Sequence, residues 1–121
     1  MSKHSSDVVL RQMRDHALEA VRFLDGPSLD EYSENRLLIL GITRLLEIVG
    51  ESATRVDPAV QRQMTGIPWK SLFGMRNRLA LGHDSVDKKI VWNVVKNDLP
   101  AIIETLDQHL EEPEFSAGQS A

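Results

Sequence analysis

The sequence predicts an all-α fold, in the form of a single-domain helical bundle. Apolar residues recur every three or four positions almost from one end of the chain to the other, which is the period of amphipathic helices. Alternating patterns typical of strands are nearly absent. The chain has 121 residues, 41% of them hydrophobic, which suffices for one domain with one core. We therefore expect one helical domain over residues 1–111 and a disordered tail over residues 112–121.

Gly26-Pro27 separates the first two predicted helices. The first covers residues 6–24 and buries a stripe formed by Val9, Met13, Ala17, Val21 and Leu24. Ser28 and Glu31 have the spacing of a capping box, in which the serine accepts a first-turn amide and the glutamate reaches back. From this cap we predict one long second helix, whose buried stripe consists of Leu38, Ile42, Leu45, Val49 and Val56.

Prolines and a glycine define two further helices in the middle of the chain. Asp57 caps a short third helix that begins at Pro58, because proline fits a first turn and disfavours a helical residue before it. After a break at Thr65-Gly66, Pro68 begins a fourth helix that frays at Gly82. The inner face of this fourth helix consists of Leu72, Met75 and Leu79.

The C-terminal part is predicted to contain a fifth and a final helix. Asp87 caps the fifth helix. Its inward residues are Ile90, Val91, Val94 and Val95. The segment Asn97-Asp98-Leu99-Pro100 then interrupts the helical pattern. The final helix continues the core with Ile102, Ile103, Leu106 and Leu110.

A cationic segment lies within an acidic chain. No acidic residue occurs between Pro58 and His83, whereas four basic residues do: Arg62, Lys70, Arg76 and Arg78. These four residues give the segment a net charge of +4. Since the whole chain has a formal net charge of −4, the rest of the chain has a net charge of −8. A local excess of this kind favours an anion site, most commonly for phosphate. The overall pI of about 5.5 argues against a general coating of nucleic acid, so any such contact should be local.

Composition excludes several function classes. The chain has no cysteine, which rules out disulfides, thiolate metal sites and thiol catalysis. The N-terminus has no apolar signal core, and no run approaches the roughly 20 apolar residues that span a bilayer, so we expect a cytoplasmic protein without membrane contact. Glu47 and Glu51 lie one turn apart without a third ligand, so we expect no metal and no cofactor. His4, His16 and His109 are expected to face solvent.

Three stretches resemble the signatures of one known family. Residues 44–53, RLLEIVGESA, resemble its second-helix signature. Its central motif is resembled by Ile67-Pro68-Trp69 and by residues 74–79, GMRNRL. The resemblance to its C-terminal signature lies in Val86-Asp87, Ile90-Val91-Trp92 and Asn97-Asp98-Leu99-Pro100. Because their order and spacing are specific, the chain is similar over most of its length to the HepT-like (DUF86) proteins of the HEPN superfamily.

The resemblance implies a fold, an activity and partners. HepT-like proteins are helical, metal-independent endoribonucleases that form homodimers, with two motif helices side by side around a shared cleft. They are toxins of type VII toxin–antitoxin systems, and the substrate implied here is RNA, either tRNA or mRNA. A minimal nucleotidyltransferase (MNT) antitoxin neutralises the toxin by binding it or by adding adenylyl groups to a motif tyrosine.

The motif itself departs from the family pattern, which is arginine, a polar residue, three further residues, histidine, any residue and tyrosine. Alignment of Arg76 and Asn77 with its start puts Leu81 at the histidine position and His83 at the tyrosine position. A second register, from Arg78 through four residues to His83, keeps the spacing but abandons the flanking residues. We therefore prefer the first register.

These residue types suit RNA cleavage without a metal. A 2′-hydroxyl must be deprotonated to attack phosphorus and the leaving 5′-oxygen must be protonated, and histidine suits both steps because its pKa lies near neutrality. Arginine suits the crowded phosphorane because its fork holds two oxygens at once. We predict that Arg76 and His83 are catalytic. Asn77, Arg78 and Glu51 are predicted to support them or bind RNA, with Glu51 holding a motif arginine in a salt bridge.

Leu81 leaves alternatives open, because leucine performs neither proton transfer. On an unbroken helix, Arg76 and His83 share nearly the same face but lie about 10 Å apart along the axis. A dimer can shorten that separation across its interface. Alternatively, the chain is a catalytically degenerate HEPN protein that only dimerises and binds the antitoxin. A structural helical adaptor with an anion pocket is the third hypothesis.

The tyrosine and the tryptophans are not expected to take part in the chemistry of the motif. Tyr32 is the only tyrosine and lies far from the motif in sequence, so we do not expect adenylylation at the motif. Trp69 and Trp92 each adjoin a run of apolar residues, so we expect them to pack in the core or at the dimer contact rather than to stack on bases.

Overall fold

Helices connected by short turns make up the described part of the chain, residues 3–81 and 87–111 of the computed structural model, and no strand occurs there. This confirms the predicted all-α class. In chain order the elements are α1 (Lys3–Phe23), α2 (Leu29–Ser33), α3 (Arg36–Thr54), α4 (Pro58–Gln63), α5 (Trp69–Leu81), α6 (Lys88–Asn93), a π-helical segment (Val94–Asp98) and α7 (Leu99–Leu110). Helix α3 packs against both α1 and α5, and α7 packs against α1. The predicted tail, residues 112–121, lies outside the described residues.

The core is built from the apolar stripes that the periodicity indicates. In α1, the buried members of the predicted stripe are Val9, Met13, Ala17 and Leu24, and Val21 is half-buried. In α3 and just after it, the buried members are Ile42, Leu45, Val49 and Val56. Burial of such stripes, more than intrinsic helix propensity, stabilises helices of this length in a bundle.

The predicted long second helix is divided into α2 and α3, which corrects the prediction. The capping box at its start is present: the Ser28 amide donates to Glu31 Oε1 at 2.8 Å, and the Glu31 amide donates to Ser28 Oγ at 3.1 Å. The helix then stops, because Asn35 Oδ1 accepts from the Leu38 amide at 3.1 Å and starts α3. Lys88 Nζ also donates to the Ser33 carbonyl at 2.8 Å, which satisfies the C-terminus of α2.

The predicted starts of α4 and α5 agree with the structure. Asp57 Oδ1 accepts from the Ala59 amide at 2.8 Å and Pro58 occupies the first turn of α4. The side chain of Trp69 is half-buried against the core, and its indole Nε1 donates to the Met64 carbonyl at 3.0 Å. This bond anchors the first residue of α5, whose inner residues are buried as predicted: Leu72, Met75 and Leu79.

The predicted interruption before Pro100 is wrong, because the helix continues there in widened form. Asp87 Oδ1 caps α6 by accepting from the Lys89 and Ile90 amides. The π-helical segment then leads directly into α7. Proline lacks an amide hydrogen and its ring crowds the carbonyl four residues earlier, so a widened turn accommodates Pro100 without ending the helix.

Two predicted inward residues of the fifth helix are misplaced as well. Val91 and Val95 are buried, but Ile90 is 57% exposed and Val94 is only half-buried. A short α6 followed by a widened turn rotates the inward face away from the regular helical period.

A cluster of Tyr32, Trp92 and Lys96 joins α2 to the C-terminal helices. The Tyr32 hydroxyl donates to the Lys88 carbonyl at 2.7 Å, and its ring lies 5.1 Å from that of Trp92. Lys96 Nζ lies 4.9 Å from the Trp92 ring centroid and donates to the Leu24 carbonyl. Tyr32 is therefore structural, and it is fully buried.

His109 is not solvent-facing, which corrects the prediction for that residue. Its side chain is 22% exposed, and Nε2 lies 3.1 Å from Asp7 Oδ1, which ties α7 to α1. His16 is half-buried, with Nδ1 2.7 Å from the Gln12 carbonyl oxygen of its own helix. None of the helices described in the structure is long and apolar enough to cross a membrane.

Tyr32 provides a test of the α2 packing. Burial, reinforced by the charge of Asp87, raises the pKa of Tyr32 to about 12 from its ordinary value near 10. The folded state therefore binds the Tyr32 proton more tightly than the unfolded state. This contribution to the free energy of unfolding is fully present below pH 10 and is lost as the pH rises through 12. Phenolate absorbance at 295 nm, which only this tyrosine generates, should titrate near pH 12 in the folded protein. A transition near pH 10 without unfolding would contradict the packing.

Candidate active site

A contact at Gly50 positions helix α5, which carries the motif residues, against α3. Gly50 is buried, and a Cβ added there would lie 2.5 Å from Cβ and 3.2 Å from Cγ of Arg76, and 3.1 Å from the Leu72 carbonyl oxygen. Real Cβ atoms do not approach other atoms within 3.0 Å. Only a residue without a side chain therefore allows α3 and the stem of Arg76 to approach so closely.

The side chain of Arg76 combines a buried stem with an exposed terminal group. Its Nε is buried and has no hydrogen-bond partner among the described residues. Its Nη1 donates to Asn77 Oδ1 at 3.2 Å, in a contact exposed to solvent. One edge of the guanidinium thus faces protein, while the end that carries Nη1 is available to an anion from solvent.

Arg78 lies on a different side of α5 from Arg76. Each residue of an α-helix is rotated by about 100° from the one before it. Residues i and i+2 are therefore rotated by about 200° and point in nearly opposite directions. Arg76 contacts α3, whereas Arg78 lines a groove of about 950 Å³ between α5 and the α6–α7 region. The exposed Arg78 has no ion-pair partner among the described residues, although Asp87 and Asp98 also line the groove. The two arginines do not converge within one chain.

Glu51 does not form the predicted salt bridge to a motif arginine. Its Oε1 lies 3.4 Å from Nη1 of Arg44, on the same helix. The same Arg44 atom lies 3.4 Å from Oε2 of Glu47, whose side chain is only 10% exposed. Arg44 therefore pairs with both carboxylates of α3, and neither carboxylate pairs with an arginine of α5 in the described part of the chain. No cluster of three metal-ligating side chains occurs among the described residues.

The second predicted catalytic residue, His83, lies outside the described residues, as does Gly82. Helix α5 ends at Leu81. The two registers proposed from the sequence therefore both remain predictions. Exposed polar residues of α5 that accompany Arg76 are Lys70, Ser71, Asn77 and Arg78.

The role of Gly50 was not predicted from the sequence. A glycine inside a strongly periodic helix is a signal of close backbone approach. The chain also has glycines at 41 and 74 within helices, yet a Cβ at either position would meet nothing within 4 Å. Sequence alone does not distinguish these three glycines, because the distinction depends on which helix crosses at which turn.

The chain is similar to known proteins along most of its length. A family model described as ribonuclease HepT-like matches residues 13–109. A candidate RNase of Methanocaldococcus jannaschii is 28% identical over 102 residues, which are 84% of this chain and 94% of that protein. A protein of Thermococcus cleftensis named probable ribonuclease HepT is 33% identical over 61 residues, 50% of this chain and 56% of that protein. No solved structure matches the chain.

Replacement of Arg44 tests the charge arrangement beside the motif helix. Arg44→Met leaves the buried Glu47 carboxylate without its cation. We expect the free energy of unfolding, measured with urea, to fall by about 1 kcal/mol, a modest value because Arg44 is 58% exposed and solvent screens the pair. The loss should largely disappear in a Glu47→Gln background but persist in a Glu51→Gln background. A loss that is unchanged by Glu47→Gln would contradict this arrangement.

Proposed function

The chain belongs to the HepT-like ribonuclease family, and we propose that it is a metal-independent endoribonuclease that cuts RNA at a site shared by two copies of the chain. The observation that carries the proposal is the arrangement of Arg76, whose stem is packed against α3 while its Nη1 end faces solvent. Around it, residues 58–83 contain four basic residues and no acidic one. This combination suits a phosphodiester better than an uncharged ligand.

The proposed substrate is RNA, either tRNA or mRNA. Relatives of the chain are named as RNases. RNA also carries its own nucleophile for cleavage without a metal, the 2′-hydroxyl that DNA lacks. Lys70 and Arg78 are exposed on α5 and supply further positive charge for flanking phosphates. We assign Asn77 to the orientation of Arg76, because its Oδ1 accepts from Nη1. Glu51 contributes only indirectly, by pairing with Arg44.

In the proposed reaction, the Arg76 guanidinium binds the two non-bridging oxygens of the scissile phosphate. The His83 imidazole removes the 2′-hydroxyl proton as the 2′-oxygen attacks phosphorus. The P–O5′ bond breaks, the leaving 5′-oxygen takes a proton from an imidazolium, and the products are a 2′,3′-cyclic phosphate and a 5′-hydroxyl. The positive charge of Arg76 stabilises the negative charge that accumulates on the phosphorane.

The second copy supplies what one chain lacks. Arg76 and Arg78 lie on different sides of α5, so a second cation near Arg76 must come from elsewhere. A homodimer with its α5 helices side by side brings together two Arg76 guanidinium groups and two His83 imidazoles. One imidazole then acts as the base and the other as the acid.

The proposed partner is an MNT-type nucleotidyltransferase antitoxin, in a type VII toxin–antitoxin system in the cytoplasm. We expect inhibition by binding rather than by adenylylation of a motif tyrosine. The motif contains no tyrosine, and Tyr32 is fully buried with its hydroxyl bonded to the Lys88 carbonyl. An adenylyl group therefore has no accessible tyrosine acceptor among the described residues.

Arg76→Ala tests the proposed function. We expect the purified protein to cleave tRNA in the presence of EDTA, and Arg76→Ala to lower the rate at saturating RNA by about 100-fold to 1,000-fold, the usual effect of removing one group that stabilises transition-state charge. Cleavage is measured on a denaturing gel. Arg11→Ala, which removes an exposed arginine from α1, is the charge-matched control and should keep the wild-type rate. Absence of cleavage, or cleavage equally unaffected by both variants, would refute the proposal.

Leu81 favours a second candidate function, a degenerate HEPN protein that binds the antitoxin without cutting RNA. Leu81→His distinguishes the two functions. If His83 is the catalytic imidazole, we expect this substitution to change the rate of tRNA cleavage less than tenfold. An inactive wild-type protein that becomes both toxic in cells and active on tRNA through Leu81→His would establish the degenerate function instead.

A further inference from the structure

We propose that Gly50 is a positioning residue for Arg76: the missing side chain on α3 determines where the motif guanidinium lies. The effect on RNA cleavage rests on the proposed function. The effect on the geometry of Arg76 does not, and it is measurable even in a protein that cuts nothing.

Gly50 differs from the other helical glycines in what surrounds it. A Cβ at Gly41, on the same helix, or at Gly74, on α5, would meet no atom within 4 Å. At Gly50 it would meet Cβ and Cγ of Arg76 and the carbonyl oxygen of Leu72. Alanine at positions 41 and 74 adds the same methyl group to the same kind of helix, so these two positions serve as matched controls.

The structure cannot absorb a methyl group at Gly50 by a small side-chain movement. The nearest atom, Arg76 Cβ at 2.5 Å, is attached directly to the α5 backbone, and the Leu72 carbonyl oxygen is itself backbone. Relief to an ordinary carbon–carbon contact requires a shift of about 1 Å. That shift must separate α5 from α3 or displace the Arg76 stem, and both movements carry the guanidinium away.

Catalysis is sensitive to movements of this size. A 1 Å misplacement of a catalytic group costs about 100-fold in rate, because a reacting group must be held near its productive geometry. Arg76 Nε is buried, whereas Nη1 lies at the surface beside Asn77. Displacement of the stem therefore changes the surroundings of Nε, although the charge of the site stays the same.

The experiment compares Gly50→Ala with Gly41→Ala and Gly74→Ala. The first readout is the ¹⁵N NMR signal of the Arg76 Nε–H group, assigned by its disappearance in Arg76→Lys. The second is the rate of tRNA cleavage at saturating RNA in EDTA. We expect Gly50→Ala to shift this signal, to accelerate its hydrogen exchange with water, and to lower the rate about 100-fold. Both control variants should leave the signal and the rate unchanged.

Each outcome supports or overturns the proposal. If Gly50→Ala leaves the Nε–H signal unmoved, Gly50 does not position Arg76, whatever happens to cleavage. If the signal moves and cleavage persists at the wild-type rate, the catalytic part of the proposal is overturned. If the signal moves in a protein whose wild type does not cut RNA, the positioning of Arg76 stands and the proposed function fails.

A second measurement applies if Gly50→Ala folds poorly. Arg76→Gly removes the Cβ that a methyl group at position 50 would meet. We expect the fall in melting temperature caused by Gly50→Ala to be at least halved in the Arg76→Gly background, because the two substitutions act on one contact. Equal falls in both backgrounds would overturn the proposal.

Discussion

The close approach of α3 and α5 at Gly50 restricts where the side chain of Arg76 can lie. Helix α3 packs against α1 as well as α5, so it connects the motif helix to the centre of the bundle. The contact between Gly50 and the stem of Arg76 lies at this junction. A side chain that packs against a helix backbone has few alternative positions, because the backbone does not move when side-chain rotamers change. The bundle thus restricts the positions of the Arg76 stem, and under the proposed function this lowers the entropic cost of binding a phosphate.

This arrangement has an energetic cost that a purely structural arginine would not carry. A buried donor without a partner destabilises a protein by about 1–3 kcal/mol, and Arg76 Nε is such a donor within the described structure. The α3 carboxylates Glu47 and Glu51 pair with Arg44, and no described carboxylate pairs with Arg76. Within the described residues, a cation that has a buried donor without a partner is more consistent with a binding site than with a bracing contact. Proteins tolerate such costs chiefly at functional sites.

The elements could be predicted from the sequence wherever a local rule decides them. The Ser28–Glu31 capping box, the Asp57 and Asp87 caps and the apolar stripes all follow from local spacing. The division between α2 and α3 could not be predicted, because the helical spacing of apolar residues continues through the Asn35 cap. The bond from Lys88 to the end of α2 also comes from a helix that is distant in sequence. At the site, the sequence singled out Arg76 but paired Glu51 with the wrong arginine. The role of Gly50 depends on which helix crosses α3 at that turn, which no local pattern encodes.

Under the proposed function, the Arg76 held by α3 binds the scissile phosphate. The most direct measurement is a crystal structure of the protein with an RNA whose 2′-hydroxyl at the cleaved position is replaced by hydrogen. The account predicts guanidinium nitrogens of Arg76 about 2.7–3.2 Å from phosphate oxygens, the usual range for these hydrogen bonds, with a second copy of the chain completing the site. A phosphate bound instead in the groove beside Arg78, with Arg76 still bonded only to Asn77, would contradict it.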